Sequence, residues 1–333
     1  MESQRQDGYV FSIIVIIITL IITLLSIAIA DQKNRINLIE HYQILNIIEE
    51  EVSAVELVIL EYLNLQYINS SDFSLNTNFQ KIYETPSNAK IKVELKVNDN
   101  CFNINSLFYR DSNNNLEINY SEFNRLQYAF KKLNINNDLI NSIIDWIDKD
   151  TAITERIDEI NIYEKNNLSW RPRNNFAVSN LELSMIPGFL DNYEKLNEVL
   201  CVNLYNRKIN LYNLKPKSIS LFFPFLNEKN AQEISEIIKQ DVWPNSDPGI
   251  KTNKNIKNFQ KEVESLIGRA LSFSDKMHLK NINFISKSIE ARIEYISNKG
   301  EKYISFCKFE VDSDILVKLI YRYGPFKEKY IDI

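Results

Sequence analysis

Residues 10–30 read VFSIIVIIITLIITLLSIAIA, an apolar run without a single charged side chain. As an α-helix this run would be about 31 Å long, enough to cross the hydrocarbon core of a bilayer. It is longer than the apolar core of a secretory signal peptide. The run is therefore predicted to be a single transmembrane helix.

The helical pattern continues beyond the apolar run. Apolar side chains recur at three- and four-residue steps through residues 31–66, with glutamates between them, and neither proline nor glycine occurs between Tyr9 and Thr85. The apolar stripe is too broad for a strict heptad seam, which disfavours a plain coiled-coil stalk. The sequence predicts one continuous helix over residues 9–66.

Composition excludes several classes of protein. The chain has 333 residues, 44% of them hydrophobic, and a net charge of -5. Its six glycines are widely separated, so the glycine-rich loops that bind dinucleotides or nucleoside triphosphates are missing. The acidic balance argues against a nucleic-acid groove. Any histidine-based zinc site or catalytic triad would have to use His41 or His278, the two histidines of the chain.

The rest of the chain mixes strand and helix patterns. Residues 69–88 are predicted to be a loop, and residues 89–105 alternate apolar and charged side chains as a half-buried strand does. Helices are predicted at 123–147, 176–200, 213–222 and 228–240, and further strands at 291–297, 302–311 and 316–323. This order indicates an α+β fold in which a helical insertion separates the strands of one sheet.

The segment before the apolar run has its own pattern. A short polar leader ends at Gly8, and the aromatic Tyr9 leads directly into the apolar helix. This arrangement resembles the site that prepilin peptidase cuts in type IV pilins and pseudopilins. The resemblance implies cleavage between Gly8 and Tyr9.

Five short blocks, in order along the chain, resemble minor pseudopilin K (GspK) of type II secretion systems. The blocks are VNDNCFNINSL at 97–107, DWIDKD at 145–150, RPRN at 171–174 after Tyr163, LELSMIPG at 181–188, and INLYN at 209–213. Cys101 stands where the family pattern has glycine, and the leader of this chain is less basic than is usual in the family.

The resemblance implies a pilin-like fold, with a long N-terminal helix packed on a small antiparallel sheet and a large all-α insertion between strands. The divisions it implies are a prepilin leader at 1–8, a transmembrane part of the helix at 9–30, a periplasmic part at 31–66, a sheet from 89–106 and 288–324, and a helical insertion at 107–287.

The function implied by the resemblance is that of a non-enzymatic subunit at the tip of the secretion pseudopilus, which helps to start assembly and export. It would be a single-pass inner-membrane protein with its bulk in the periplasm. Its partners would be minor pseudopilins I and J, prepilin peptidase and the outer-membrane secretin, without nucleic acid. The alternatives are a minor tip pilin of a type IV pilus and a membrane-anchored periplasmic hydrolase.

One residue of the apolar run bears on the tip position. Ile13 is the fifth residue after Gly8, where most pilins carry a glutamate that pairs with the amino group of a neighbouring subunit. An apolar residue there resembles the K pseudopilins and suits a subunit with no neighbour above it. An unrelated membrane anchor would place isoleucine there equally well, because charge inside lipid is costly.

Two acidic stretches are candidate calcium sites. Residues 111–122 place oxygen-bearing side chains at the spacing of a twelve-residue calcium loop, running from Asp111 to Glu122, although Leu116 replaces the usual glycine. Around 145–159 acidic side chains outnumber basic ones, and the resemblance to a family whose members bind calcium in this region favours Asp148 and Asp150 as ligands. A polar turn and a solvated acidic loop are the respective alternatives.

Three cysteines leave the disulfide pattern open. In an oxidising periplasm Cys101 could pair with Cys307, and Cys201 could equally take part. The distance between two cysteine side chains cannot be read from their positions in the sequence. The expectation from sequence alone is therefore that no native disulfide forms.

Overall fold

The computed structural model describes residues 3–69, 79–148, 152–153, 157–158, 163, 170–205, 207–239, 251–284, 286–312 and 316–327. The chain divides into two compact units, Met1–Ala54 and Val55–Ile333. A single helix, α1 (Ser3–Asn69), begins in the first unit and ends in the second.

The first unit is the N-terminal part of α1. From Val15 to Ile29 its large apolar side chains are all well exposed. Because burying such a surface is strongly favourable, an apolar helix that nothing covers requires an apolar surrounding. α1 alone, among the described residues, is long and apolar enough to cross a membrane.

In the second unit the last turns of α1 pack on a sheet. Val55, Ile59 and Leu63 recur at helical spacing and are buried. The sheet is antiparallel and five-stranded, in the order β1-β2-β11-β12-β13. These strands are β1 (Phe79–Glu84), β2 (Lys90–Val97), β11 (Ser288–Ile296), β12 (Lys302–Val311) and β13 (Val317–Lys327).

Strand β2 follows the period of two that its sequence predicts. On β2 the side chains of Ile91, Val93, Leu95 and Val97 are buried, and the lysines and glutamate between them are not. Val93 pairs with Ile293 on β11, which in turn pairs with Ser305 on β12, so the buried side chains form continuous rows across the sheet.

The polypeptide between β2 and β11 forms the insertion. Its helices are α2 (Tyr120–Leu133), α3 (Asp138–Ile147), α4 (Tyr193–Leu196), α5 (Pro216–Phe222), α6 (Glu228–Lys239), α7 (Lys251–Ile267) and α8 (Phe273–Lys280), with 3₁₀ turns at Ile104–Leu107, Asn180–Met185 and Leu190–Asn192. Short strand pairs accompany them.

These short strands form four pairs among the described residues. They are β3 (Phe102–Asn103) with β8 (Leu200–Cys201), β4 (Phe108–Arg110) with β5 (Leu116–Ile118), β6 (Ala152–Ile153) with β7 (Ile157–Asp158), and β9 (Ile209–Asn210) with β10 (Ile282–Asn283). The helices share one apolar core, whose members include Phe102, Phe130, Ile140, Trp146, Phe222, Ile234 and Phe259.

The α+β class, the long helix and the split antiparallel sheet are confirmed, whereas some predicted elements are wrong. Residues 176–200 contain 3₁₀ turns and one short helix instead of a continuous helix. Residues 123–147 are two helices, because Asn134 takes a left-handed conformation that ends α2. The predicted loop at 69–88 contains the edge strand β1, and helices α7 and α8 were not predicted.

Candidate assembly site

Two buried asparagines of the block at 97–107 join distant parts of the insertion. Asn105 donates from Nδ2 to the Ala177 carbonyl (2.7 Å) and accepts from the Ala177 amide (2.9 Å). Asn103 makes the equivalent exchange with the backbone of Asn203, at 2.7 and 3.0 Å. A side-chain amide can satisfy a backbone donor and acceptor at once, which explains why asparagine stands at both positions.

Asp99 in the same block is also buried. Its carboxylate accepts hydrogen bonds from the Lys287 amide (2.6 Å) and from Asn210 Nδ2 (3.1 Å), and thereby joins the start of β11 to β9. Burial raises the pKa of Asp99 to about 7, although these donors favour the charged form. Local sequence gives no sign of this role for Asp99, because its partners are distant in the chain.

A second contact uses two fully buried charges on β12. The Lys308 ammonium donates to the Val202 carbonyl and lies 3.4 Å from Glu310 Oε1. Glu310 accepts from the backbone amides of Leu204 (2.9 Å) and Tyr205 (2.7 Å). Buried charges stabilise a fold only where paired and hydrogen-bonded, and this pair fixes the loop after β8 on the sheet.

Three of the sequence blocks meet at Glu182. Its Oε1 lies 3.2 Å from Arg173 Nη1 and accepts from the Val178 amide at 2.8 Å, and its Oε2 accepts from Trp146 Nε1 at 3.2 Å. Glu182 also completes a capping box with Ser179. The DW, RPRN and LELS blocks therefore form one structural cluster, and Trp146 is a buried core residue.

The turn at Ile186-Pro187-Gly188 is structural. Gly188 has a φ of 81°, which favours glycine, and the Phe189 amide donates to the Ile186 carbonyl at 3.1 Å. Its flanking segments are 3₁₀ turns, unlike the helices of a DNA-binding helix-hairpin-helix motif.

The structure does not bring Asp111 and Glu122 together as calcium ligands. Asp111 Oδ1 accepts from the amides of Asn113 (2.8 Å) and Asn115 (2.7 Å) within the β4–β5 turn. Glu122 is buried in α2, where Arg125 Nη1 lies 2.8 Å from one oxygen and Asn281 Nδ2 lies 2.7 Å from the other. The alternative of a polar turn describes the bonds of Asp111, and calcium binding at 111–122 stays a prediction.

The second calcium candidate falls partly outside the described residues, which include Asp148 but not Asp150. Asp148 follows α3 directly, and its amide donates to the Ile144 carbonyl at 2.9 Å. In the part of the chain that the structure describes, no three acidic, histidine or cysteine side chains form a metal-binding group. Calcium binding by Asp148 and Asp150 stays a prediction.

The three cysteines form one disulfide and leave one free thiol. Cys101 and Cys201 form a disulfide with a Cα–Cα distance of 5.8 Å, next to the parallel pair β3–β8. The expectation of no bridge and the pairing of Cys101 with Cys307 are wrong, whereas the alternative in which Cys201 takes part in a bridge is confirmed. Cys307 is buried on β12, its Sγ donates to Glu56 Oε1 on α1 at 2.9 Å, and burial raises the pKa of its thiol.

The residues of the predicted processing and tip positions lie in α1. Its helical backbone includes Gly8, Tyr9 and Ile13, whose side chains are outside the described part of the structure. Cleavage after Gly8 and the meaning of Ile13 stay predictions.

The long helix, the antiparallel sheet and the inserted helices define a pilin-like α+β subunit. Residues 100–203 match the family model described as "Type II secretion system (T2SS), protein K". The matched residues include the buried asparagines, the disulfide and the Glu182 cluster. The resemblance to pseudopilin K inferred from the sequence is thus confirmed over this part of the chain.

A solved structure has the same fold. It is the GspK chain of the GspK–GspI–GspJ complex from the type 2 secretion system of enterotoxigenic Escherichia coli, which is 15% identical to this chain with a TM-score of 0.60. The match covers 82% of this chain and 94% of that chain. A comparison with curated protein sequences found no significant match.

Proposed function

We propose that this chain is the minor pseudopilin K of a type II secretion system, a non-enzymatic subunit of the pseudopilus. The observation that carries the proposal is the match of residues 100–203 to the family of protein K, inside a pilin-like fold with an apolar N-terminal helix. The same match favours a secretion system over a type IV pilus. Anchored by α1 in the inner membrane, the second unit would lie in the periplasm.

The tip of the pseudopilus is the proposed position of the subunit. Ile13 offers no carboxylate to the amino group of a neighbouring subunit. The insertion adds a large helical body beside the sheet, and subunits packed on all sides would have to make room for it. Pseudopilins I and J would bind along α1, which presents the exposed apolar residues Leu57, Val58 and Leu65 in its last turns. The insertion would then face the outer-membrane secretin, and prepilin peptidase would process the leader.

The test is co-purification. The full chain, co-expressed with the I and J pseudopilins of the same secretion system, should elute with both as one complex. Replacing Leu57 and Val58 together by glutamate should remove the partners without unfolding the chain, because both side chains are exposed. Glutamate at the exposed Leu190 of the insertion is the matched control. A chain that never co-elutes with I or J would contradict the proposal.

A further inference from the structure

Two arginines lie against one aromatic ring in the insertion. The guanidinium carbon of Arg207 is 4.1 Å from the ring centroid of Phe176, and that of Arg110 is 5.2 Å from the same centroid. Phe176 is buried and forms a fixed base for both. Arg110 ends β4 and Arg207 lies two residues before β9, so the fold brings the two cations together from distant parts of the chain.

Every acceptor that these two guanidinium groups contact is uncharged. Arg207 Nη1 donates to the Phe108 carbonyl at 3.1 Å. Arg110 Nη1 donates to the Asn114 carbonyl (3.1 Å), and its Nη2 reaches Asn175 Oδ1 at 3.5 Å. Within the described ranges neither arginine forms an ion pair with a carboxylate. Bonds to the described residues use only part of the N–H donors that the two guanidinium groups carry.

Two other arginines of the second unit are neutralised by carboxylates. Buried Arg125 pairs with Glu122 at 2.8 Å, and exposed Arg269 pairs with Asp275 at 2.9 Å. Arg207 is half-buried, and burial together with the positive charge of Arg110 lowers its pKa. A partly desolvated cation beside a like charge is unfavourable unless an anion compensates it. The pair is a local excess of positive charge on a chain whose net charge is -5.

We propose that Arg110 and Arg207 bind the carboxylates of an acidic segment, rich in aspartate or glutamate, of a protein partner. A guanidinium presents parallel N–H donors that match a carboxylate, and the cation–π contacts with Phe176 help to hold both guanidinium groups in place. Arginine beside an aromatic residue is also the side-chain combination that carries much of the binding energy of protein interfaces. The proposal goes beyond the pseudopilin assignment and does not depend on it.

The test uses the full chain in detergent and a labelled peptide of alternating glutamate and glycine, followed by fluorescence polarisation. The glutamate peptide should bind, and the peptide with glutamine in place of glutamate should bind at least about tenfold more weakly. The variant Arg110→Gln/Arg207→Gln should bind the glutamate peptide about tenfold more weakly than wild type. The variant Arg110→Lys/Arg207→Lys should show most of that tenfold loss, because lysine cannot bind a carboxylate bidentately. Arg269→Gln is the control, and its affinity should equal that of wild type.

Several results would overturn the proposal. They are equal binding of the glutamate and glutamine peptides, unchanged affinity in the double variant, and displacement of the peptide by inorganic phosphate at far lower concentration than by acetate, which would indicate a phosphate site. If the double variant does not fold, the single variant Arg110→Gln serves as the test, because Arg110 is exposed. It should lower the affinity severalfold and leave the unfolding midpoint unchanged or higher, because it removes a like-charge contact.

Discussion

At the scale of single residues, the buried charged side chains determine which substitutions the insertion can accept without losing stability. Arg125 and Glu122 are both almost wholly excluded from solvent, and Arg125 also donates to the His278 carbonyl. A buried ion pair adds little net stability as a pair, but loss of one member leaves the other charged and unpaired. Such pairs therefore make the folded state sensitive to single substitutions.

We expect Glu122→Gln to lower the free energy of unfolding by about 3–5 kcal/mol, because Arg125 would keep its charge without a counter-charge. Urea unfolding followed by circular dichroism measures the change. The control is Glu233→Gln, whose exposed pair with Lys229 is 3.9 Å long and whose loss should hardly move the midpoint. A loss confined to calcium-containing buffer would instead restore Glu122 as a metal ligand.

His278 should make stability depend on pH. Burial, and then the nearby charge of Arg125, lower its pKa from 6.5 to about 4, while Asp275 acts in the opposite direction. Between these two values the unfolded chain binds a proton that the folded chain does not, so stability falls as the pH drops from about 6.5 towards 4. The loss should be roughly 2 kcal/mol, allowing for partial exposure.

The measurement for this prediction is the unfolding free energy of wild type minus that of His278→Gln across the same pH range. The difference cancels the contribution of Asp99, which runs the other way because burial raises its pKa to about 7. His41→Gln changes the other histidine, which is exposed, and should leave the slope as in wild type. An unchanged slope in His278→Gln would contradict the prediction.

Calcium binding at Asp148 and Asp150 is a further proposal at this scale. If calcium binds the folded chain alone, a hundredfold excess over its Kd should add about 2.7 kcal/mol of stability. Chelation should then lower the melting temperature of wild type, and Asp148→Ala/Asp150→Ala should abolish that response. Asp111→Ala should keep the response, since Asp111 bonds within its own turn. A melt of wild type that ignores chelator would reject the site.

At the scale of elements, the disulfide cross-links the parallel strand pair β3–β8 within the insertion. Cys101 precedes β3 and Cys201 ends β8, and the two are 100 residues apart in sequence. A cross-link over so long a loop strongly restricts the unfolded chain. The buried bonds of Asn103 and Asn203 lie directly beside it.

We expect Cys101→Ala/Cys201→Ala to lower the free energy of unfolding by about 2–5 kcal/mol. Reducing agent should destabilise wild type by a similar amount and leave the variant unaffected. Thiol counting on denatured, unreduced wild type should find one thiol, that of Cys307. Cys307→Ala is the control, and its stability should keep the full response to reductant. A count of three thiols would rule out the bridge.

The local sequence correctly predicted those strands and helices that bury one face, because their apolar residues recur with the period of the element. β2 alternates because it has one buried face, and α1 shows its apolar stripe over many turns. Residues 176–200 were predicted to be helical from apolar spacing, but capping at Ser179 and the turn at Gly188 divide them. Propensity does not show such tertiary constraints.

The candidate site was less predictable than the fold. The sequence blocks pointed to the region of Asn103, Asn105 and Glu182, but not to what these side chains bind. Asp99 and Lys308 have partners about a hundred or more residues away, and local patterns carry no such information. Glu122 fitted a calcium spacing by composition alone, whereas α2 turns it into the core towards Arg125.

At the scale of the whole molecule, the second unit is built to act as one body. The insertion meets the sheet through Asp99, through the Lys308–Glu310 pair and through Glu290, which accepts from Asn98 and Asn180 at 2.7 and 3.0 Å. Each contact leaves buried polar groups unsatisfied if it opens, so partial separation is costly. Because the insertion is rigidly attached, it moves together with the sheet when it contacts another protein.

Cleavage after Gly8 is the prediction that concerns the chain as a whole. The apolar run starts directly after this glycine, so removal of residues 1–8 would leave the N-terminus of Tyr9 at the membrane edge of α1. Full chain co-expressed with prepilin peptidase should show by mass spectrometry a mature form that begins at Tyr9. Gly8→Leu should stay at full length, since a bulky side chain blocks the site, whereas Ala28→Leu in the same helix should be processed normally. A wild-type chain that still begins at Met1 beside active peptidase would reject the pilin type of assembly, because subunits that keep a polar leader cannot bury the start of α1 among neighbouring helices.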